Sequence, residues 1–225
     1  MFDKINQYKE EFKKNKTVTI TDLFSEDNAS AIREDYLISD RYKTSFFTGE
    51  TTEEGDIPLQ YAEKGTVRYD KLTKQSNYRA SQNQFSYRFS RTPWVQPKLA
   101  ELWSSEIFNH TISYITGYKN LQWNPDSTFT SKYEAGDFLY THTDKDNGTI
   151  AFVYHLTTNW LPGYGGLFMK MPNWVDVEET VTPKFNALTI FDVTGEGVPH
   201  QVSKVIEGIQ NARIAYSGWF QSTEK

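Results

Sequence analysis

His142 and Asp144 lie two residues apart in Phe138-Leu139-Tyr140-Thr141-His142-Thr143-Asp144, and His200 follows later in the chain. On a β-strand, residues i and i+2 project from one face, so this imidazole and this carboxylate would point at one spot. A second imidazole from a distant strand completes a set of two histidines and one carboxylate. Such a set binds non-haem Fe(II) and leaves one face of the metal open for a co-substrate and oxygen. Two of the chain's four histidines are committed to this arrangement. An isolated His-x-Asp pair is otherwise an exposed pair on a loop, with His200 an ordinary turn histidine. The weight of the reading therefore rests on what surrounds it.

The surroundings are strands. Residues 131–133 lead through a Gly136-Asp137 turn into the strand carrying His142. Lys145-Asp146-Asn147-Gly148 is a hairpin signal, because Asn-Gly accepts positive φ at both turn positions. Apolar runs follow at 149–156, 167–171, 186–193, 199–205 and 212–221, with a Pro- and Gly-containing loop at 159–166. Consecutive short strands without an intervening helix predict a mainly β protein built as a sandwich or jelly roll.

Arg213 follows His200 by thirteen residues. Alternation places Arg213, Ala215, Ser217 and Trp219 on one face of the last strand. If that face is interior, the arginine needs an anionic partner, since an unpaired buried charge costs several kcal/mol. A planar guanidinium suits bidentate pairing with a carboxylate. The alternative is a surface arginine on the solvent face.

From Tyr133 to Phe220 the chain resembles the 2-oxoglutarate- and Fe(II)-dependent oxygenases, in their prolyl-4-hydroxylase-like branch. The matching residues, in order, are Tyr133-x-x-Gly136, His142-x-Asp144, Tyr154-x-Leu156, Trp160, Gly165-Gly166-x-Phe168, Pro199-His200-x-Val202, and Arg213 with Ser217 and Trp219 behind it. They cover about ninety residues. The resemblance implies a double-stranded β-helix, a cupin-like jelly roll with flanking helices. It implies that His142, Asp144 and His200 bind Fe(II) and that Arg213 pairs the distal carboxylate of 2-oxoglutarate. Tyr133 and Tyr154 would hydrogen-bond or flank that co-substrate, with Ser217 also at its site. O2 is the oxidant, and ascorbate is a candidate accessory reductant. The implied reaction hydroxylates an unactivated C–H bond and releases succinate and CO2. The His200-to-Arg213 spacing is somewhat longer than in many relatives, and Asp144 excludes the halogenase variant, in which a small residue replaces the carboxylate.

The 225 residues suit one domain, with 1–130 a helical and lid extension and 131–221 the catalytic core. A net charge of −5 argues against an obligate nucleic-acid partner. No apolar run is long enough to span a bilayer, the N-terminus lacks the apolar stretch of a signal peptide, and there is no cysteine. A cytoplasmic enzyme is expected. Helices are expected over 2–14, from Ser25 as N-cap to residue 37, and as one long helix over 96–118. His110 in that last helix reads as structural or surface. His155 should point away from the metal.

Residues 48–58 read as a polar, Gly-punctuated loop. Residues 64–91 carry seven basic side chains against one acid, Asp70, with five aromatics among them. This stretch reads as an edge strand and lid over the site, and residues 48–91 are expected to choose the substrate. In 84–89 alternation puts the aromatics on one face. Peptidyl proline, a free amino acid and other small molecules all fit the core motifs. The competing readings are a cupin-like metalloenzyme without 2-oxoglutarate, including a zinc hydrolase, and a non-catalytic jelly-roll binding module.

Overall fold

The computed structural model describes residues 2–49, 51–52, 55–56, 59–145 and 147–223. In chain order its elements begin with α1 (Phe2–Asn15), β1 (Thr17–Thr21), α2 (Glu26–Leu37), β2 (Lys43–Phe47), β3 (Thr51–Thr52), β4 (Gly55–Asp56), β5 (Gln60–Tyr61) and α3 (Val67–Ser81). Next come β6 (Tyr87–Thr92), α4 (Pro97–Ser104), α5 (Glu106–Thr116), β7 (Leu121–Trp123) and β8 (Phe129–Tyr133). The C-terminal part adds β9 (Phe138–His142), β10 (Ile150–His155), β11 (Phe168–Lys170), β12 (Glu179–Val181), β13 (Ala187–Asp192), β14 (His200–Val202) and β15 (Arg213–Ser222).

The strands join in the order β1-β13-β10-β15-β8-β6-β9-β14-β11-β12. The sheet is antiparallel and curls into a half-barrel, the expected jelly roll, with β10, β13 and β15 on one side of a cavity and β9, β11 and β14 on the other. Alternation on β10 and β15 divides their side chains. Phe152, Tyr154, Ile214, Tyr216 and Phe220 pack outward against the helices, while Ala151, Val153, Arg213 and Ser217 turn inward. The outward layer meets Phe12 of α1, Ile32 and Tyr36 of α2, Trp103 of α4 and Ile112 of α5, all within 1% exposed. Trp103 is the hub, with ring contacts to Phe108, Phe152, Tyr154 and Tyr216 at 5.1–5.9 Å.

Helix ends follow local chemistry. The Ser25 hydroxyl accepts from the Asn28 amide at 3.4 Å, with Glu26 and Asp27 in the first turn of α2. The long helix expected over 96–118 is two helices. Ser105 is extended (φ −69°, ψ 127°), ends α4 and caps α5 through its hydroxyl and the Phe108 amide. The apolar stripe runs through the break, which is why periodicity alone reads one helix.

Three further expectations are corrected. Residues 67–81 form α3, capped by Thr66, and not part of an edge strand. β6 is no edge either, since it pairs with β2, β8 and β9 and joins the two sides of the half-barrel. The Asn147-Gly148 turn closes no hairpin: β9 pairs with β6 and β14, and β10 with β13 and β15, so the chain crosses the cavity there. Asp146 and much of the expected 48–58 loop lie outside the described residues.

Candidate active site

β9 and β14 bring His142 and His200 into register as cross-strand partners, although 58 residues separate them in sequence. Their rings lie 4.4 Å apart. Asp144 sits just past the end of β9, with one carboxylate oxygen 3.5 Å from His142 Nε2 and the other 3.4 Å from His200 Nε2. One ligand atom from each of the three falls within 4.8 Å of the others. The backbone sets the tautomer of both rings. His142 Nδ1 donates to the Tyr140 carbonyl at 3.0 Å and His200 Nδ1 to the Val198 carbonyl at 2.8 Å. A carbonyl only accepts, so each Nδ1 carries the proton and each Nε2 is left to bind a metal. Burial alone would raise the Asp144 carboxyl; the imidazoles of His142 and His200 beside it outweigh burial and hold the group well below the usual carboxylate range.

The rings are held in an apolar frame. Phe168 and Phe191 pack on His200 at 5.3 and 5.1 Å, and Phe85 packs on His142 at 5.4 Å. Phe85, Tyr87 and Phe89 continue as an aromatic wall, so the expected alternation of 84–89 does line the cavity. The cavity measures about 240 Å³ and also exposes Tyr133, Ser217 and Trp219.

Arg213 enters the same cavity 2% exposed. Its guanidinium lies 4.9 Å from the centre of the Tyr133 ring, its Nε has no hydrogen-bond partner, and no carboxylate reaches it among the described residues. Burial pulls it below its ordinary value and pushes the Tyr133 hydroxyl up. A buried cation with an orphaned donor is costly unless an anion completes it. A carboxylate-bearing co-substrate fits that vacancy in the bonding. Gly165 and Gly166 (φ 72° and 63°) let the loop close beneath it, where a Cβ on Gly166 would meet Arg213 Cδ and Trp160 Cζ2 at 3.1 Å.

Tyr154 is not brought to this cavity. It faces the helices, where its hydroxyl donates to Asn186 Oδ1 at 2.9 Å and its ring packs on Trp103 and Phe24. Its neighbour His155 takes the inward side with Ala151 and Val153, 1% exposed, its Nε2 3.3 Å from Thr189 Oγ1 and its Nδ1 without a partner. Burial, then the Arg213 charge, lower it to about 3, so it is neutral beside that arginine. The period-two alternation is as expected, but its sense is reversed, and the sequence reading missed His155 as a neighbour of Arg213. His110 is exposed on α5, as expected.

The comparisons with known proteins agree with this geometry. Residues 128–221 match the family model of the 2OG-Fe(II) oxygenase superfamily. An oxidoreductase of the 2OG-Fe(II) oxygenase family from Burkholderia pseudomallei has a similar structure, with TM-score 0.63 and 10% identity over 96% of this chain and 90% of that one. A prolyl-4-hydroxylase from Pseudomonas putida superposes with TM-score 0.53 and 16% identity over 97% and 98% of the two chains. A Trichoplax adhaerens prolyl hydroxylase, solved with a hypoxia inducible factor peptide fragment, gives TM-score 0.55 and 14% identity over 97% and 89%. At such identities these likenesses speak for the fold. No curated protein sequence matches. No helix among the described residues is long and apolar enough to cross a membrane. Over residues 128–221 the chain is thus similar to the 2OG-Fe(II) oxygenase superfamily, a family that implies Fe(II), 2-oxoglutarate and O2, and the His142–Asp144–His200 cluster could bind the metal.

Proposed function

We propose that this oxygenase hydroxylates an unactivated C–H bond of a prolyl or other amino-acid-derived substrate. His142, Asp144 and His200 are the metal ligands in this reading, and Arg213 holds the distal carboxylate of 2-oxoglutarate. The observation that carries it is the joint placement of two backbone-fixed imidazoles, one carboxylate and one unpartnered buried arginine in a single cavity.

Bound there, Fe(II) and the 2-oxo acid supply O2 activation: one oxygen atom goes to the substrate C–H bond as hydroxyl, the other to succinate, and CO2 leaves. The chain's own residues orient and shield. Tyr140 and Val198 fix the imidazole planes through their carbonyls. Arg213 and Ser217 set the depth to which the co-substrate enters, and Tyr133 flanks it. His155 adds no charge beside Arg213, so the carboxylate meets an undiluted cation. Phe85, Phe168 and Phe191 exclude water from the ligand set.

Two measurements test the proposal. Anaerobic titration with Fe(II) and 2-oxoglutarate should produce a weak visible charge-transfer band, which a hydrolase or a binding module would not give. A succinate-release screen over proline peptides, free amino acids and small amines, followed by mass analysis, should yield a product one oxygen atom heavier than its substrate. A band without any hydroxylated product across the screen would retain the co-substrate assignment and overturn the substrate class.

A further inference from the structure

Lys43 and Arg91 stand directly opposite each other in the β2–β6 ladder. Like charges facing across a rung destabilise a sheet, and no carboxylate pairs with either among the described residues. Arg41, just before β2, adds a third cation to the same surface. Both arginines rest on rings: Arg41 lies 4.7 Å from the centre of Trp94 and Arg91 5.3 Å from that of Phe129. An aromatic face fixes the plane of a guanidinium without neutralising it. The chain has 29 acidic and 24 basic residues, so an uncompensated cluster of this kind runs against its overall charge.

These three cations line a cleft of about 930 Å³ in which Asp126 is the one acid among the described residues. The cleft shares Arg91, Phe129 and Trp219 with the inner cavity of the His142–Asp144–His200 cluster. The inner cavity, about 240 Å³, has to admit the metal, 2-oxoglutarate and the carbon to be oxidised. The bulk of a substrate therefore belongs in the outer cleft, whose size is that of an ordinary ligand site.

We infer that the outer cleft selects the substrate by charge: Arg41, Lys43 and Arg91 bind a carboxylate or phosphate that the substrate carries away from its oxidised carbon. The inner wall of Phe85, Tyr87 and Phe89 takes the apolar reacting end. The unfavourable Lys43–Arg91 rung is retained because an anionic ligand bridges it, with the ring-backed guanidinium planes set for bidentate contact. This inference rests on the oxygenase reading and names the class of its substrate.

The test uses the full chain loaded with Zn(II) and saturating 2-oxoglutarate, with the ¹⁵N-labelled indole resonances of Trp94 and Trp219 as reporters. Phenyl phosphate and phenylacetate are the anionic probes, and benzyl alcohol is the neutral one. Saturable shifts at Trp94 with either anion and none with the alcohol are expected, and the stronger of the two identifies the anionic group. Arg41→Gln/Lys43→Gln should weaken the anion by about tenfold or more, and Arg41→Glu/Lys43→Glu should abolish the shift. Both side chains are exposed, so folding should survive, and Lys43→Gln should melt at or above the wild type because it removes a repulsion. Equal shifts with alcohol and anions, or shifts that persist in the charge-reversed variant, overturn the inference. So does a lowered melting temperature for Lys43→Gln, which would make the rung a structural feature. The charge-transfer band of the wild type reports on the oxygenase reading separately, so either can fail alone.

Discussion

The two faces of β10 and β15 are made from the same stretches of chain and answer to different demands. The outward face carries Phe152, Tyr154, Ile214, Tyr216 and Phe220, and every one of them is packed against helix side chains at 1% exposure or less. The inward face carries Val153, His155, Arg213 and Ser217, and there His155 Nδ1 and Arg213 Nε are left without partners. The outward face is mainly apolar, although Tyr216 Oη and the Trp103 indole N–H that packs on it also lack partners; the inward face holds the ionisable imidazole and guanidinium. Stability and chemistry are thus separated by a single residue step along a strand.

Substitutions can break or sharpen this contrast. The largest effect is expected from Asp144→Ala: loss of the charge-transfer band and of succinate production, with an unchanged thermal transition for the metal-free chain. Succinate release at the wild-type rate would remove Asp144 from the ligand set. On the outward side, Trp103→Ala should cost about 3–5 kcal/mol in chemical denaturation, as large aromatic truncations in a packed core do. A loss below about 1 kcal/mol would show that the outward face is not the main source of cohesion.

Arg213→Met is the sharpest comparison because its two readouts should move in opposite directions. Affinity for 2-oxoglutarate should fall by about 2–5 kcal/mol, as when one side of a buried charge pair is truncated. The melting temperature without co-substrate should hold or rise, because an apolar side chain replaces an unpaired buried cation. A melting temperature lowered along with affinity would make Arg213 part of the core.

His155 offers a smaller effect with a defined sign. Its folded value, about 3, lies below the ordinary histidine value of 6.5. The unfolded chain therefore binds the extra proton between those limits, and stability supplied by neutral His155 is present above pH 6.5 and lost as pH falls toward about 3. Asp137, beside Arg88 and raised to about 6 mainly by burial, contributes with the opposite sign between 3.8 and about 6. His155→Gln should flatten the acid side of the pH–stability curve, measured by denaturant midpoints at successive pH values; an unchanged acid slope would contradict the buried neutral imidazole. The smallest expected signal is in hydrogen exchange. Residues 48–91 should gain protection when substrate binds, and protection confined to 131–221 would remove this segment from substrate selection.

Strands β10, β13 and β15 were legible because each has a helix-facing side of large apolar residues at alternate positions, as in Phe152 and Tyr154, Leu188 and Ile190, and Ile214 and Tyr216. The candidate metal cluster was legible because His142 and Asp144 are close in sequence; that His200 would be the rung partner of His142 is a product of sheet register. The sides of Tyr154 and His155 were not legible, since both faces of β10 are buried and alternation then has no sign. α3 escaped because only Leu72 and Ser76 of its fifteen residues are buried, too few to make a stripe. The second role of β6 escaped for a topological reason: nothing in Tyr87–Thr92 records that its partners are β8 and β9, some forty to fifty residues onward.

That position of β6 has a consequence for any attempt to isolate the motif-bearing half. A fragment of residues 131–221 would lack the strand that lies between β8 and β9, and each of those would then present a bare row of amides and carbonyls. Two open edges on a sheet invite pairing with other copies, so such a fragment should precipitate or form assemblies even though it contains every proposed metal ligand. The proposed metal ligands can be read from the C-terminal sequence alone, whereas a soluble unit needs both β6 and the helices that cover the outward face, all from the N-terminal half.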